Sequence, residues 1–335
     1  MEDLSLQEKV SILLKTLKLI DEPSEIKHLK SLSGGIASDV LAVDTVGGSY
    51  CVKFAIPKLR VEADWYAPVH RNRCEYNWLK IAEAIVPQNT PKMYGYSEEF
   101  DGFVMEYLSG DDCYMWKAKL LSQPPALDIA KQVAETLVKI QALSSKDDFD
   151  QRKFDTKDVF MQMRIDPYIN YTGSQHPNLQ PQFKAAAQNL SHANKTLVHG
   201  DVSPKNIMVK GDRAILIDAD CASMGDPAFD VAFCLNHFFL KAINSPHNKA
   251  KFYQAALTFF KTYTELIEWE SKSYLDQRTA TYLPMLGLAR VDGKSPVEYF
   301  NAEQQDQTRT IVIPLIQHPI TSTVELLQNM YQQVN

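Results

Sequence analysis

The sequence predicts an α+β chain of two lobes, a β-sheet lobe first and a mainly α-helical lobe after it. Three observations predict this. The chain has 335 residues, more than the roughly 100–200 of a usual single domain. Strand-like runs dominate between Ile26 and Tyr107. Beyond the polar, Gly-bearing link Leu108-Ser109-Gly110-Asp111-Asp112 the apolar period becomes helical. The expected boundary is therefore residues 1–107 for the N-terminal lobe and 108–335 for the helical C-terminal lobe.

Each element follows from local pattern. Leu6, Val10, Leu13, Leu14, Leu17 and Ile20 recur at helical spacing, so an amphipathic helix is expected to open the chain and to end before Pro23. Ile26 to Leu32 and Ile36 to Val43 read as strands, with Ser33-Gly34-Gly35-Ile36-Ala37-Ser38 between them. Gly47-Gly48 marks a turn before a third strand, Tyr50 to Ile56. A helix is expected over about Arg71 to Ala84, followed by further strand-like runs that end at Phe103-Val104-Met105-Glu106-Tyr107. In the second part, Leu127, Ala130, Val133, Ala134, Leu137 and Ile140 mark a long apolar helical face after Pro124-Pro125. Asn206 to Lys210 and Arg213 to Ile217 read as a hairpin joined by Gly211-Asp212. The remainder is helical by pattern.

Composition narrows the function. The formal charge is -6, against a general nucleic-acid binder, which usually carries a basic patch. The five cysteines form no C-x-x-C pair, so free thiols in a reducing compartment are expected. Met1-Glu2-Asp3-Leu4 lacks the basic start and apolar core of a signal peptide. No apolar stretch approaches the roughly 20 residues of a spanning helix. A cytoplasmic protein without membrane or nucleic-acid partners is expected; oligomeric state is left open.

The chemistry concentrates in His199-Gly200-Asp201-Val202-Ser203-Pro204-Lys205-Asn206 and Leu216-Ile217-Asp218-Ala219-Asp220. Phosphoryl transfer needs a carboxylate to orient the attacking hydroxyl and hard oxygen ligands to hold magnesium against the phosphates. An Asp on a loop, an Asn five residues later and an Asp after the next hairpin supply these parts, because the hairpin folds Asp218 back over the loop. This string is similar to the H-x-D-x-x-x-x-N loop and metal-binding Asp of the aminoglycoside phosphotransferase and choline kinase superfamily, which shares the protein-kinase fold. The resemblance runs from about Gly34 to Ala232. It implies Asp201 as catalytic base, and Asn206 and Asp218 as Mg2+ ligands. Asp220 is either a second ligand or an ordered loop carboxylate. Gly225-Asp226-Pro227-Ala228-Phe229-Asp230 looks like the family's G-D-P-x-x-D segment, in which Asp230 would brace the loop; His199 is expected to shape it.

The same resemblance implies ATP or GTP as donor. Tyr50-Cys51-Val52-Lys53 fits the V-A-I-K pattern, and alternation puts Cys51 and Lys53 on the face opposite Tyr50, Val52, Phe54 and Ile56. Lys53 would contact the α/β-phosphates, held by Glu75, with Glu62 and Glu83 as alternatives. Gly34, Gly35 and Ser38 belong to a short glycine loop that would cover phosphates. Met105-Glu106-Tyr107-Leu108 resembles a kinase hinge, so the Glu106 C=O and the Leu108 N–H are candidates for adenine.

The acceptor is expected to be a hydroxylated small molecule. Ser203 stands where protein kinases place a Lys or Arg, and the span from Asp218 to Asp226 leaves no room for a long activation loop. Aminoglycosides, amino alcohols, sugars and nucleoside-like metabolites all stay open. Arg290 and Asp292, charged within an apolar tail, either face the acceptor or form a structural ion pair. Two further classes remain beside the small-molecule kinase: a catalytically inactive nucleotide-binding scaffold, and a protein kinase. A hydrolase using Ser203 lacks a G-x-S-x-G elbow.

Overall fold

The computed structural model describes residues 4–32, 37–60 and 65–335. Ser5 caps the first helix, α1 (Leu6–Thr16): its hydroxyl accepts the Glu8 N–H while the Glu8 carboxylate accepts the Ser5 N–H at 2.7 Å. The helix ends at Thr16, earlier than its apolar period suggests. Lys18 takes φ +58° and Leu19 N–H bonds Leu14 C=O, so the chain turns out of the helix while Ile20 stays in the core.

Next come β1 (Ile26–Ser31), β2 (Ser38–Thr45), β3 (Ser49–Ala55), α2 (Arg71–Ile85), β4 (Met93–Ser97) and β5 (Gly102–Glu106). Among the described residues these strands form one antiparallel sheet in the order β1-β2-β3-β5-β4. Side chains alternate across it. Tyr50, Val52 and Phe54 pack with Val10, Leu13 and Leu14 of α1. Cys51, Phe103 and Met105 face the other way, into a core shared with Trp78, Leu79 and Ala82 of α2. The expected face for Lys53 is thus the one it occupies. Buried Arg71 ties this lobe together: its guanidinium donates to the carbonyls of Ala37 and of Ile56, the latter at 2.7 Å.

The second lobe continues with β6 (Cys113–Met115), α3 (Trp116–Leu120), α4 (Leu127–Ser144), α5 (Lys157–Phe160), a π-helical stretch (Met161–Asn170), α6 (Tyr171–Gln175), α7 (Gln180–His192), β7 (Thr196–Val198), β8 (Ile207–Lys210), β9 (Arg213–Leu216) and β10 (Ser223–Gly225). Helices α8 (Pro227–Asn244), α9 (Lys249–Leu266), α10 (Lys272–Asp292), α11 (Ala302–Gln317) and α12 (Thr323–Gln332) complete it. The β8–β9 hairpin lies where expected, with Gly211 at φ +62° in its turn. The short strands β6, β7 and β10 were not anticipated: β6 extends the hairpin sheet and β10 pairs with β7. Helix α8 is buried from Pro227 to Ile243 and packs against α9 and α10. Its near-total burial makes it the axis of this lobe.

Among the described residues, no helix is long and apolar enough to cross a membrane. The five cysteines are free.

Candidate active site

The inward face of β3 delivers Lys53 to the cleft between the lobes, where it is 3% exposed. Its ammonium lies 2.5 Å from Glu75 Oε2, on α2, and is also ion-paired with Asp218, which follows β9. Burial alone would lower this ammonium's pKa. Asp218, Glu75 and Asp220 outweigh burial and hold it above the usual lysine range. One buried cation thus joins strand, helix and the second lobe. Of the alternative partners, Glu83 accepts the Met93 N–H and pairs with Lys80, and Glu62 lies outside the described residues.

The loop after β7 is built around Gly200 and Asp230. Gly200 has φ +77°, and a Cβ there would sit 2.7 Å from the Cys221 carbonyl oxygen, so only glycine fits. Asp230, in the first turn of α8, accepts the N–H groups of His199 and Gly200 at 2.8 Å each, and the Gln141 amide at 3.1 Å. Burial pushes its carboxyl up to about 7 against those donors. His199 accepts the Asp201 N–H at Nδ1 and faces the Ile217 carbonyl with Nε2, which assigns it the Nε2–H tautomer. Burial keeps it neutral by lowering its pKa. Its ring meets Trp78 of α2 edge-on at 4.8 Å.

This frame fixes Asp201 at 3% exposure. Its Oδ2 lies 2.8 Å from Arg164 and 3.0 Å from Lys205, while its Oδ1 is buried with no partner. Burial would raise its pKa, but Lys205 and Arg164 outweigh that and hold the carboxyl well below the usual range. Arg164 comes from the π-helical stretch, a geometry frequent at functional sites. It also donates to the Gly200 and Met163 carbonyls at 2.5 and 2.7 Å. Sequence reasoning did not single it out; the available signal was one arginine within the apolar run from Val159 to Ile169.

Asn206 Nδ2 donates to the Asp201 carbonyl at 3.0 Å, which leaves the amide oxygen as its outward donor atom. Asp218 takes φ +64°, an uncommon conformation for a non-glycine residue. Ile217 N–H bonds the Asn206 carbonyl at 3.0 Å, folding the hairpin back over the loop. Asn206 and Asp218 therefore present hard oxygen donors of the kind Mg2+ takes. Among the described residues no three His, Cys, Asp or Glu side chains form a cage. Mg2+ usually completes its shell with water and phosphate oxygens, so the donor set fits. Asp220 is 5% exposed, and its Oδ1 accepts the Cys221 thiol.

On the nucleotide side, Gly34 and Gly35 lie outside the described residues. Ser38 starts β2, and its hydroxyl is buried without a partner. Glu106 ends β5, and the Leu108 N–H that follows it has no protein acceptor among the described residues.

Beyond Asp201 the two charges of the tail separate. Asp292 is held by Arg309, at 2.7 Å, and by His176, at 2.8 Å. Arg290 turns inward: it donates to Tyr168 Oη at 3.3 Å and Ser295 Oγ at 2.8 Å, and its Nε is buried without an acceptor. Close to it, α8 buries His237 and Lys241.

The Lys241 ammonium is pushed down to about 7, by burial first and then by Lys117 and Arg290, with Glu298 opposing. Between this value and the ordinary lysine pKa of about 10.4, the unfolded chain holds a proton that the folded chain has released. Stability therefore rises with pH across that window, by at most about 1.4 kcal/mol per unit. Lys241→Met is expected to remove that part of the slope, measured by urea unfolding near pH 7 and pH 9. Equal slopes in both proteins would refute the assignment.

The model of the phosphotransferase enzyme family matches residues 28–259. A search of curated proteins finds no match. Among solved structures, a choline/ethanolamine kinase family protein from Mesorhizobium loti is similar, with TM-score 0.57, 13% identity, and coverage of 98% of this chain and 99% of that one. Plasmodium vivax ethanolamine kinase gives TM-score 0.57 at 14% identity, covering 96% and 98%. Amicoumacin kinase hAmiN in complex with AMP-PNP, Ca2+ and Ami gives TM-score 0.58 at 12% identity, covering 96% and 98%. At such identities the likeness establishes the fold, a two-lobed kinase-like one.

Proposed function

The chain belongs to the phosphotransferase enzyme family, and from that premise we propose that it moves the γ-phosphate of ATP or GTP to a hydroxyl of a small molecule. The observation that carries this reading is Lys53, buried between Glu75 of one lobe and Asp218 of the other. A cation so placed, beside the oxygen donors of Asn206 and Asp218, suits a nucleotide's phosphates. The boundary at residues 107 and 108 is part of the proposal. Adenine would meet the backbone of Glu106 and Leu108, and the Gly34-Gly35 loop and Ser38 would cover the phosphates.

Asn206 and Asp218 would hold Mg2+, which when bound neutralises negative charge on the phosphate oxygens. Glu75 fixes the Lys53 ammonium so that its charge meets the phosphates. The acceptor hydroxyl donates to Asp201 Oδ1, the oxygen that has no protein partner. Its oxygen bonds to the γ-phosphorus, the bond from that phosphorus to the bridging oxygen breaks, and the diphosphate leaves. The hydroxyl proton passes to Asp201. A carboxyl held so low is a weak base, so Asp201 chiefly orients the nucleophile and takes the proton late, as a loose transition state allows. The cytoplasm, as a reducing compartment rich in nucleotides, suits this activity and the free thiols.

One feature favours a small acceptor over a protein, and another favours an enzyme over a scaffold. The segment after Asp218 is used at once, β10 pairing with β7 and Asp226 capping α8. Lys53, Asp201, Asn206 and Asp218 are all present, which argues against an inactive scaffold. The test is magnesium-dependent consumption of ATP and GTP over a panel of hydroxylated compounds, with Asp201→Ala as blank. Stimulation by an acceptor, lost in the blank, is expected. Nucleotide binding with no Asp201-dependent turnover, even of water, would instead indicate a scaffold.

A further inference from the structure

The buried face of α8 on the Asp201 side of the second lobe gathers more cations than carboxylates in contact with them. Phe233, His237 and Lys241 follow one another at i, i+4 and i+8 along α8, and so share one face. The Phe233 ring lies 5.2 Å from His237 and 5.7 Å from Tyr168, whose own ring faces the guanidiniums of Arg164 and Arg290 at 5.7 and 5.9 Å. His237 feels the charges of Lys241 and Arg290, and also those of Asp201 and Lys205. The stripe therefore connects to Asp201.

The charge balance within this region is uneven. Arg164 and Lys205 share the Asp201 carboxylate, with Asp220 and Asp218 acting on them from farther off, and Lys117 pairs with Glu298. Lys241 is 1% exposed, and among the described residues its ammonium makes no ion pair or hydrogen bond; it lies 5.1 Å from the Tyr299 ring. Arg290 has no carboxylate in ion-pair range among the described residues, and its Nε is orphaned. Buried cations are ordinarily paired. Two with no carboxylate in contact, and only Glu298, already paired with Lys117, acting on them from farther off, make on the face that leads to Asp201 a site suited to a charge that the protein does not itself provide.

We propose that the acceptor is a hydroxylated anion whose carboxylate or phosphate group is bound by Lys241 and Arg290 while its hydroxyl meets Asp201. This rests on the phosphotransfer reading above and narrows it. Amino alcohols and aminoglycosides would be repelled from this face. The partly discharged state of Lys241 agrees, since an arriving anion restores its proton.

The test compares matched compounds: hydroxy acids with their methyl esters, sugar phosphates with the free sugars, and amino alcohols. Two quantities are read for each: the shift of the thermal midpoint without nucleotide, and kcat and KM with Mg-ATP. Wild type is expected to be stabilised by, and to phosphorylate, at least one anionic member over its neutral partner. Lys241→Met is expected to raise KM for that acceptor about 10- to 100-fold, the worth of a hydrogen bond to a charged group, while Lys241→Arg retains most of the affinity. Lys241→Met replaces an unpaired charge by an apolar chain of similar length, so the unliganded midpoint near pH 7 should not fall.

Turnover of neutral or cationic acceptors with KM unchanged in Lys241→Met would overturn the anion site and leave the phosphotransfer reading standing. Lys241-dependent stabilisation by anions without phosphate transfer to any of them would do the reverse. Absence of any Lys241-dependent response to carboxylates or phosphates would overturn the anion site.

Discussion

Asp201→Asn is expected to lower kcat about 10²- to 10⁴-fold, the range typical of a positioned acid or base, with nucleotide affinity within about threefold. The geometry separates the two effects. Asp201 lies on the loop braced by Asp230, whereas the nucleotide's phosphates are assigned to Lys53, Asn206 and Asp218. Asn keeps the side chain's shape and an oxygen that can accept the acceptor hydroxyl. It loses the charge that takes the proton. It also leaves Arg164, nearly fully buried, without its carboxylate, although the Gly200 and Met163 carbonyls still hold that guanidinium. Some loss of stability is therefore expected as well, and it must be measured separately by urea unfolding. Steady-state turnover beside nucleotide titration decides the matter. A variant that keeps most of its turnover would remove Asp201 from the chemistry, whatever its effect on stability.

How much of this was legible in the sequence depends on the separation of the interacting groups. The side of β3 that carries Lys53 follows from alternation over seven residues. The convergence of Asp201, Asn206 and Asp218 follows from one short loop and one hairpin. Both are local geometry, and backbone rules suffice. Arg164 is different: its partner is remote in sequence, and the π-helical stretch that turns it inward, with Pro167 inside, has no apolar period separating it from an ordinary helix. The three-residue strands β6, β7 and β10 are too short to show alternation. Arg290 and Asp292 could be flagged as charges in an apolar context. Only the fold shows that Arg309 and His176 hold Asp292 while Arg290 faces Tyr168. A usable signal was present in α8, where His237 and Lys241 stand four apart in a helix whose one other charged residue is Asp230. Its meaning depended on which residues lie opposite.

Asp230→Ala is expected to be among the most destabilising single substitutions in the chain, by about 3–5 kcal/mol, and to reduce turnover strongly without any contact to substrate. The carboxylate is fully buried and has three N–H partners: the backbones of His199 and Gly200, and the Gln141 amide. Truncation leaves all three donors inside the protein without an acceptor. Each such group costs about 1–3 kcal/mol, with part recovered where water enters the space. A small cavity at the start of α8 adds to the loss. Tyr263 donates to Gln141, so a displaced amide disturbs α9 as well. Activity falls because the two freed N–H groups belong to the residues just before Asp201. Gly200 is held at φ +77° against Cys221, and slack there moves the carboxylate away from the acceptor hydroxyl; a displacement of about 1 Å is enough to lose about 10²-fold in rate. Asp230→Asn distinguishes this bracing role from bulk packing. It preserves volume but can accept at one atom only, so one of the two loop N–H groups must face an amide nitrogen. If bracing is the role of Asp230, the Asn variant should recover part of the stability and little of the rate. Should the Asn and Ala variants instead lose stability equally while both retain near wild-type kcat, the loop would not depend on Asp230, and the geometry of Asp201 would have to be maintained by Arg164 and His199 alone.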